Sequence, residues 1–182
     1  MRSAESTGIG LNNKLGGVRV AAASVVSSGL YLFYWFYLTW KQLKIATNRE
    51  DYHPVWHALA LLVPIYGLVI AYRHMRIIKD LATDEGVITS LSPGGALTLL
   101  IVGGVLANAS FRASLSYGEL GAGLILDILS LAILAGMLLW AQTSLNKYWN
   151  KISEAQVQEA RIGVGEVVII VVGLLIWFTC LL

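Results

Sequence analysis

Five stretches of this chain are each apolar for roughly the length a helix needs to cross lipid, and few folds can absorb that pattern. A hydrocarbon layer about 30 Å thick takes about 20 apolar residues in a helix. The first stretch runs from about Val18 to Trp40 and the second from about Pro54 to Tyr72. The third covers about Gly94 to Phe111, the fourth Glu119 to Gln142, and the last about Gly163 to Leu182. Composition points the same way: 57% of the 182 residues are hydrophobic and 13% charged, where soluble domains carry about 25% charged residues. A soluble chain of this size has too little interior to hide so much apolar surface. The expected fold is all-α, a polytopic transmembrane bundle of five spanning helices.

Residues 1–17 are polar and rich in Ser, Gly and Asn, and they read as a flexible tail. Residues 18–182 then form a single transmembrane helical domain. The apolar run after the tail ends in bulky aromatics instead of a small-residue cleavage site, so it reads as an uncleaved first helix. In the second stretch Pro54 suits a first-turn position. Pro64 falls inside and should kink that helix. The alternative is four spans plus a re-entrant segment near 54–72.

Cytoplasmic loops favour Lys and Arg. With five spans, Arg2, Lys14, Arg19, Arg73, Arg76, Lys79, Lys147, Lys151 and Arg161 fall on one side. Lys41, Lys44, Arg49 and Arg112 fall on the other. The bias predicts a multi-pass protein of the cell (inner) membrane with its N-terminus cytoplasmic. Lys41 and Lys44, directly after the first stretch, strain that assignment. Net charge is +2 with no long basic run, so no nucleic-acid partner is expected. The periodic residues Leu145, Tyr148, Ile152 and Ala155 suggest that the fourth helix continues past the membrane or along its surface.

Seven of the ten residues from Tyr31 to Trp40 are aromatic. Aromatics with a polar edge favour the membrane interface, so Tyr31, Tyr34, Trp35, Tyr37 and Trp40 are candidate interfacial anchors. They surround the helix, so some must face neighbouring helices. The run Gly29-Leu30-Tyr31-Leu32-Phe33-Tyr34-Trp35-Phe36-Tyr37, followed by Trp40-Lys41-Gln42-Leu43-Lys44, resembles the opening of a family of small bacterial inner-membrane proteins. That family carries a G-x-Y-x-x-Y-W-F-Y segment and then a basic stretch. Pro54-Val55-Trp56-His57-Ala58 with Pro64-Ile65-Tyr66, and Gln142, Asn146 and Asn150 before a last apolar helix, are similar to its later elements. His57 departs from the basic residue, usually Arg, of the family pattern. The resemblance implies a membrane protein and no particular activity.

Ionisable groups inside lipid are expensive and need partners. Asp127 lies eight residues into the fourth stretch, on a stripe with Gly123 and Ser130. Small residues mark faces turned toward other helices, so Asp127 is expected to point into the protein. Asn108 and Arg112, one turn apart on the third helix, are its candidate partners. With His57 they make up a candidate intramembrane polar cluster. His57 and His74 would lie about 25 Å apart along one continuous helix, too far to share a metal or haem. Gln142, Asn146 and Asn150 form an amide ladder suited either to bridging helices or a protein partner, or to a solvated face at the membrane edge. Glu166 opens the last helix, where the dipole favours an acid, and needs no special role.

No phosphate loop, zinc-protease motif or nucleophile elbow occurs, and no Ser, Cys or Lys has an evident base beside it. No catalytic residue, metal ligand or cofactor is expected. The sequence favours a non-catalytic accessory subunit or scaffold of a membrane assembly. Such a protein would contact the bilayer and a protein partner, or further copies of itself, through its small-residue faces. The alternative is a small transporter or channel using Asp127, and the third possibility is a membrane enzyme or cofactor binder.

Overall fold

A computed structural model describes residues 14–117, 120–152 and 160–181. Its regular elements are helices: α1 (Gly17–Val26), α2 (Tyr31–Thr47), α3 (Pro54–Leu59), α4 (Pro64–Asp84), α5 (Pro93–Tyr117), α6 (Leu120–Ile152) and α7 (Val164–Leu181). A short 3₁₀ turn, Ala60–Leu62, follows α3. The all-α expectation holds. Among the described residues only α5 and α6 are long and apolar enough to cross a membrane by themselves; α1 and α7 are apolar but shorter.

The first two apolar stretches do not form continuous rods. The first breaks at Ser27–Leu30. Ser28 (φ 52°) and Gly29 (φ 84°) both take the left-handed region, which reverses the chain. The Gly29 amide donates to the Ser24 carbonyl at 2.9 Å and the Ser28 amide to Val25 at 3.1 Å, so the last carbonyls of α1 keep partners. The Ser27 hydroxyl then accepts from the Tyr31 amide at 2.9 Å and starts α2. α1 runs beside α6, with Gly17 on Leu139 and Gly29 on Leu131. α2 returns the other way, with Trp35 reaching Gln142. The two are therefore the legs of a helical hairpin.

The second stretch reverses at Val63 and Pro64. Proline pushes its predecessor out of helical geometry, and Val63 is extended (φ −94°, ψ 110°). Pro64 then occupies the first turn of α4, where its missing N–H costs nothing. In place of the expected kink there is thus a full reversal within the 54–72 segment. Gly67 lets the legs close: a Cβ there would sit 2.8 Å from the Ala60 carbonyl oxygen and 2.8 Å from the Leu61 Cα.

α5 and α6 pack as a long antiparallel pair. The Ser110 hydroxyl donates to the Gly123 carbonyl at 2.7 Å and the Ser130 hydroxyl to the Gly103 carbonyl at 2.8 Å. Gly95 lies against Trp140 at the other end. α7 lies on the first hairpin, with Gly173 on Ser27 and the Trp177 indole donating to the Val25 carbonyl. α6 runs to Ile152, as its periodicity suggested; Ala155 lies outside the described residues. Leu15 is fully buried and the Ala160 amide donates to the Lys14 carbonyl at 2.8 Å. Lys14 and Leu15, inside the segment read as tail, are thus part of the packed bundle; residues 1–13 lie outside the described residues.

The topology sorts the charges. Both hairpins start and finish at the end where α5 begins and α6 finishes. Of the twelve described Lys and Arg residues, only Arg112 lies at the opposite end. The core sits at the basic end as well: Met137, Leu138, Ala141, Leu145 and Trp149 of α6 are buried against Trp35, Phe36, Trp40 and Leu43 of α2 and Ile70, Met75 and Ile78 of α4.

Candidate functional site

Two polar clusters lie within the basic half. The first joins α1, α2 and α7. Arg19, in the opening turn of α1, donates from Nε to Glu166 Oε1 at 2.8 Å and from a terminal nitrogen to Oε2. Its guanidinium also donates to the Ala160 and Arg161 carbonyls. A planar fork meeting a carboxylate through two nitrogens is the strongest form of ion pair. Glu166 is 1% exposed, and the Tyr31 hydroxyl donates to its Oε1 at 3.5 Å. The Tyr34 ring lies against Gly165. Glu166 does sit in the first turn of its helix, but the dipole is not its main partner. The sequence could not show this, because the two residues are 147 positions apart.

The second cluster is aromatic and imidazole. Trp35 Nε1 donates to Gln142 Oε1 at 2.7 Å, and Gln142 Nε2 donates to Asn146 Oδ1 at 2.8 Å. Asn146 Nδ2 donates to the Leu15 carbonyl at 2.7 Å. Two members of the amide ladder are therefore spent inside the chain, while Asn150 is exposed. Tyr31, Trp35 and Trp40 are fully buried, and Tyr34 and Tyr37 half-buried. The aromatic run is chiefly core: His57 of α3 and His74 of α4 lie on Trp40, His74 also on Trp35 and Phe36, Gln142 of α6 on Trp35, and Glu166 of α7 on Tyr31.

His74 Nε2 lies 2.9 Å from the Thr39 hydroxyl. That hydroxyl has one proton and already donates to the Trp35 carbonyl at 2.7 Å, so His74 Nε2 carries the hydrogen and donates to Thr39. His74 is fully buried. Burial, followed by the neighbouring His57, pushes its pKa down to about 3. The Trp40 ring stacks on His57 (centroids 4.2 Å, 25°) and touches His74 (4.6 Å). The expected 25 Å separation of His57 and His74 is corrected: the reversal at Pro64 brings both to one indole. Among the described residues no three metal-type ligands gather, and His57 Nδ1, His74 Nδ1 and Trp40 Nε1 are buried with no hydrogen-bond partner.

The proposed intramembrane set does not meet as one group. Arg112 Nε donates to Asn108 Oδ1 at 3.0 Å, along the exposed face of α5. His57 belongs to the Trp40 stack. Asp127 is exposed, contrary to its expected inward orientation, and among the described residues it has no hydrogen-bond or ion-pair partner. Gly123 and Ser130 do face α5, but Asp127 is offset from them around the helix, and both hairpins stop below it. A five-span bundle would give α6 up to four full-length neighbours; among the described residues α6 packs on α5 at this level.

Two cavities adjoin the second hairpin. One, of about 420 Å³, lies between Leu32 and Phe33 of α2, Pro64 and Gly67 at the hairpin tip, and Gly104 and Asn108 of α5. The other, of about 400 Å³, is lined by His53, Trp56, His57 and Tyr66. Asp127 lines neither. Comparison with models of known families, with curated proteins and with solved structures returned no match to this chain.

Proposed function

We propose that this chain is a non-catalytic integral membrane protein, a scaffold or accessory subunit of a membrane assembly. In this reading α5, α6 and α7 cross the bilayer, and the two hairpins enter from the cytoplasmic face without crossing. The observation that carries it is the charge distribution: eleven of the twelve described basic residues share one end of the bundle, the pattern cytoplasmic faces show. Five full spans would have put Lys41, Lys44 and Arg49 on the far side. The leg between each hairpin tip and the next basic residue is also half a span long. Tyr31–Trp40 is ten residues and Pro64–Tyr72 nine, so each leg rises about 15 Å, half of the hydrocarbon thickness.

The scaffold reading rests on how the polar groups are used. Arg19, Glu166, Trp35, Gln142 and Asn146 join helices to one another. Asp127 stands on an outer face at a depth where an acid costs about 2.5–3.5 kcal/mol in lipid. That cost is relieved by a donor from a second chain, which favours assembly over transport. The test is purification in mild detergent with wild type and Asp127→Asn, alongside a liposome flux assay. The scaffold reading expects a companion chain, or a second copy, that is lost with Asp127→Asn and no flux from either form. Flux that disappears with Asp127→Asn would make it a transporter.

A further inference from the structure

We infer that this protein is a wedge that bends the bilayer, or sorts to bent bilayer, with its basic face on the convex side. The inference rests on the membrane reading above and adds an activity to it. Both hairpins stop at a similar level. Gly29, at the first tip, packs on Leu131 of α6, and Ser27 packs on Gly173 of α7. Pro64 and Gly67, at the second tip, line a cavity with Gly104 and Asn108 of α5. Below that level the described chain presents the legs α1, α2, α3 and α4 together with α5, α6 and α7. Above it only the last three continue. A helix is about 10 Å across, a cross-section on the order of 80 Å², so four extra legs add on the order of 300 Å² to one leaflet.

Burial along α6 marks the same boundary. Met137, Leu138, Ala141 and Leu145 are fully buried, whereas Leu124, Ile125, Ile128 and Leu129 are exposed. The wide part is held as a unit by internal bonds, so it cannot simply splay to match a flat membrane. Glu166 ties Arg19 and Tyr31 to α7. Gln142 ties Trp35 to α6, and Thr39 holds His74 of α4. A rigid body wider in one leaflet expands that leaflet. The roots of the hairpins carry Lys41, Lys44, Arg73, Arg76 and Lys79, which keep that wide end at an anionic surface.

The test uses the purified full-length chain in vesicles of phosphatidylcholine with phosphatidylglycerol, sorted by diameter. Single cysteines, Arg49→Cys, Lys147→Cys and Arg112→Cys in a Cys180→Ser background, are labelled with a membrane-impermeant maleimide. Arg49→Cys and Lys147→Cys should label from one face and Arg112→Cys from the other. The smallest vesicles should hold several-fold more protein per lipid than the largest, with Arg49→Cys facing outward. If Arg49→Cys perturbs folding, Lys41→Cys, exposed on α2, reports the same loop. Equal density and random orientation at every diameter would overturn the wedge while leaving the membrane reading intact. Arg49→Cys and Lys147→Cys labelling from opposite faces would also overturn it, because the first hairpin would then cross. Release of the wild-type chain by alkaline carbonate would instead defeat the membrane reading itself.

Discussion

The two halves of α6 have much the same composition and opposite surroundings. From Ala135 to Trp149 most of its apolar residues are buried, Leu139 excepted; from Leu124 to Leu129 most of them face outward. In the crowded half, polar side chains are paired within the chain: Gln142 with Trp35 and Asn146, and Ser144 with Thr89. In the sparse half, Ser130 reaches α5 but Asp127 is left on the surface. Apolar character alone does not say whether a residue meets protein or lipid. The number of neighbouring elements at that height decides it.

That contrast predicts unequal sensitivity. The largest effect is expected in the ion pair closing the crowded half. Glu166→Gln leaves the Arg19 charge with a weakened partner in a largely buried site, and truncation of a buried pair costs about 3–5 kcal/mol. Arg19→Met with Glu166→Leu should recover most of that loss. Thermal unfolding in detergent, followed by circular dichroism, checks both; equal stability of single and double variants would show that the pair does not couple α1 to α7.

Acidification comes next. His74 has a folded pKa of about 3, below its unfolded value near 6.5. The unfolded chain therefore binds more protons between these values. The stabilisation is complete above about pH 6.5 and falls by up to about 1.4 kcal/mol for each pH unit below it. Melting temperature against pH should show this slope, and His74→Phe should flatten it.

Gln142→Leu strands the Trp35 N–H in the core, at a cost of about 1–3 kcal/mol, measured by denaturant midpoint. Gly29→Ala forces a Cβ onto a backbone at φ 84°, a cost of about 1–2 kcal/mol. It should loosen the first hairpin more than the rest, as amide exchange at Ser24 and Tyr31 would report. Smallest of all, Ile125→Leu in the sparse half should stay within about 0.5 kcal/mol of wild type. A loss as large as that of Gln142→Leu would mean that this half is covered by another chain.

Part of the site was legible before the structure. The aromatic run and the Gln142–Asn146 spacing marked residues that do meet across α2 and α6. The Arg19–Glu166 pair was not legible, since each residue alone is ordinary at a helix start. Signals for the hairpins are present in the sequence, though none of them fixes a reversal by itself. Ser27-Ser28-Gly29 is a turn signature inside an apolar run, and Lys41 and Lys44 strain the charge bias of a five-span topology. Asp127 illustrates the limit differently: its small neighbours do face α5, and only their offset around the helix turns the acid outward.

Alone, the amino-acid order determined the helices, their apolar stretches and the basic residues that flank them, because those follow from local propensity and from side-chain transfer out of water. Whether a stretch runs straight or doubles back was decided by tertiary structure. Hydropathy adds up residues along the chain and is blind to direction, whereas a reversal survives only where neighbours such as Leu131, Gly173 and Leu61 leave room for the tip.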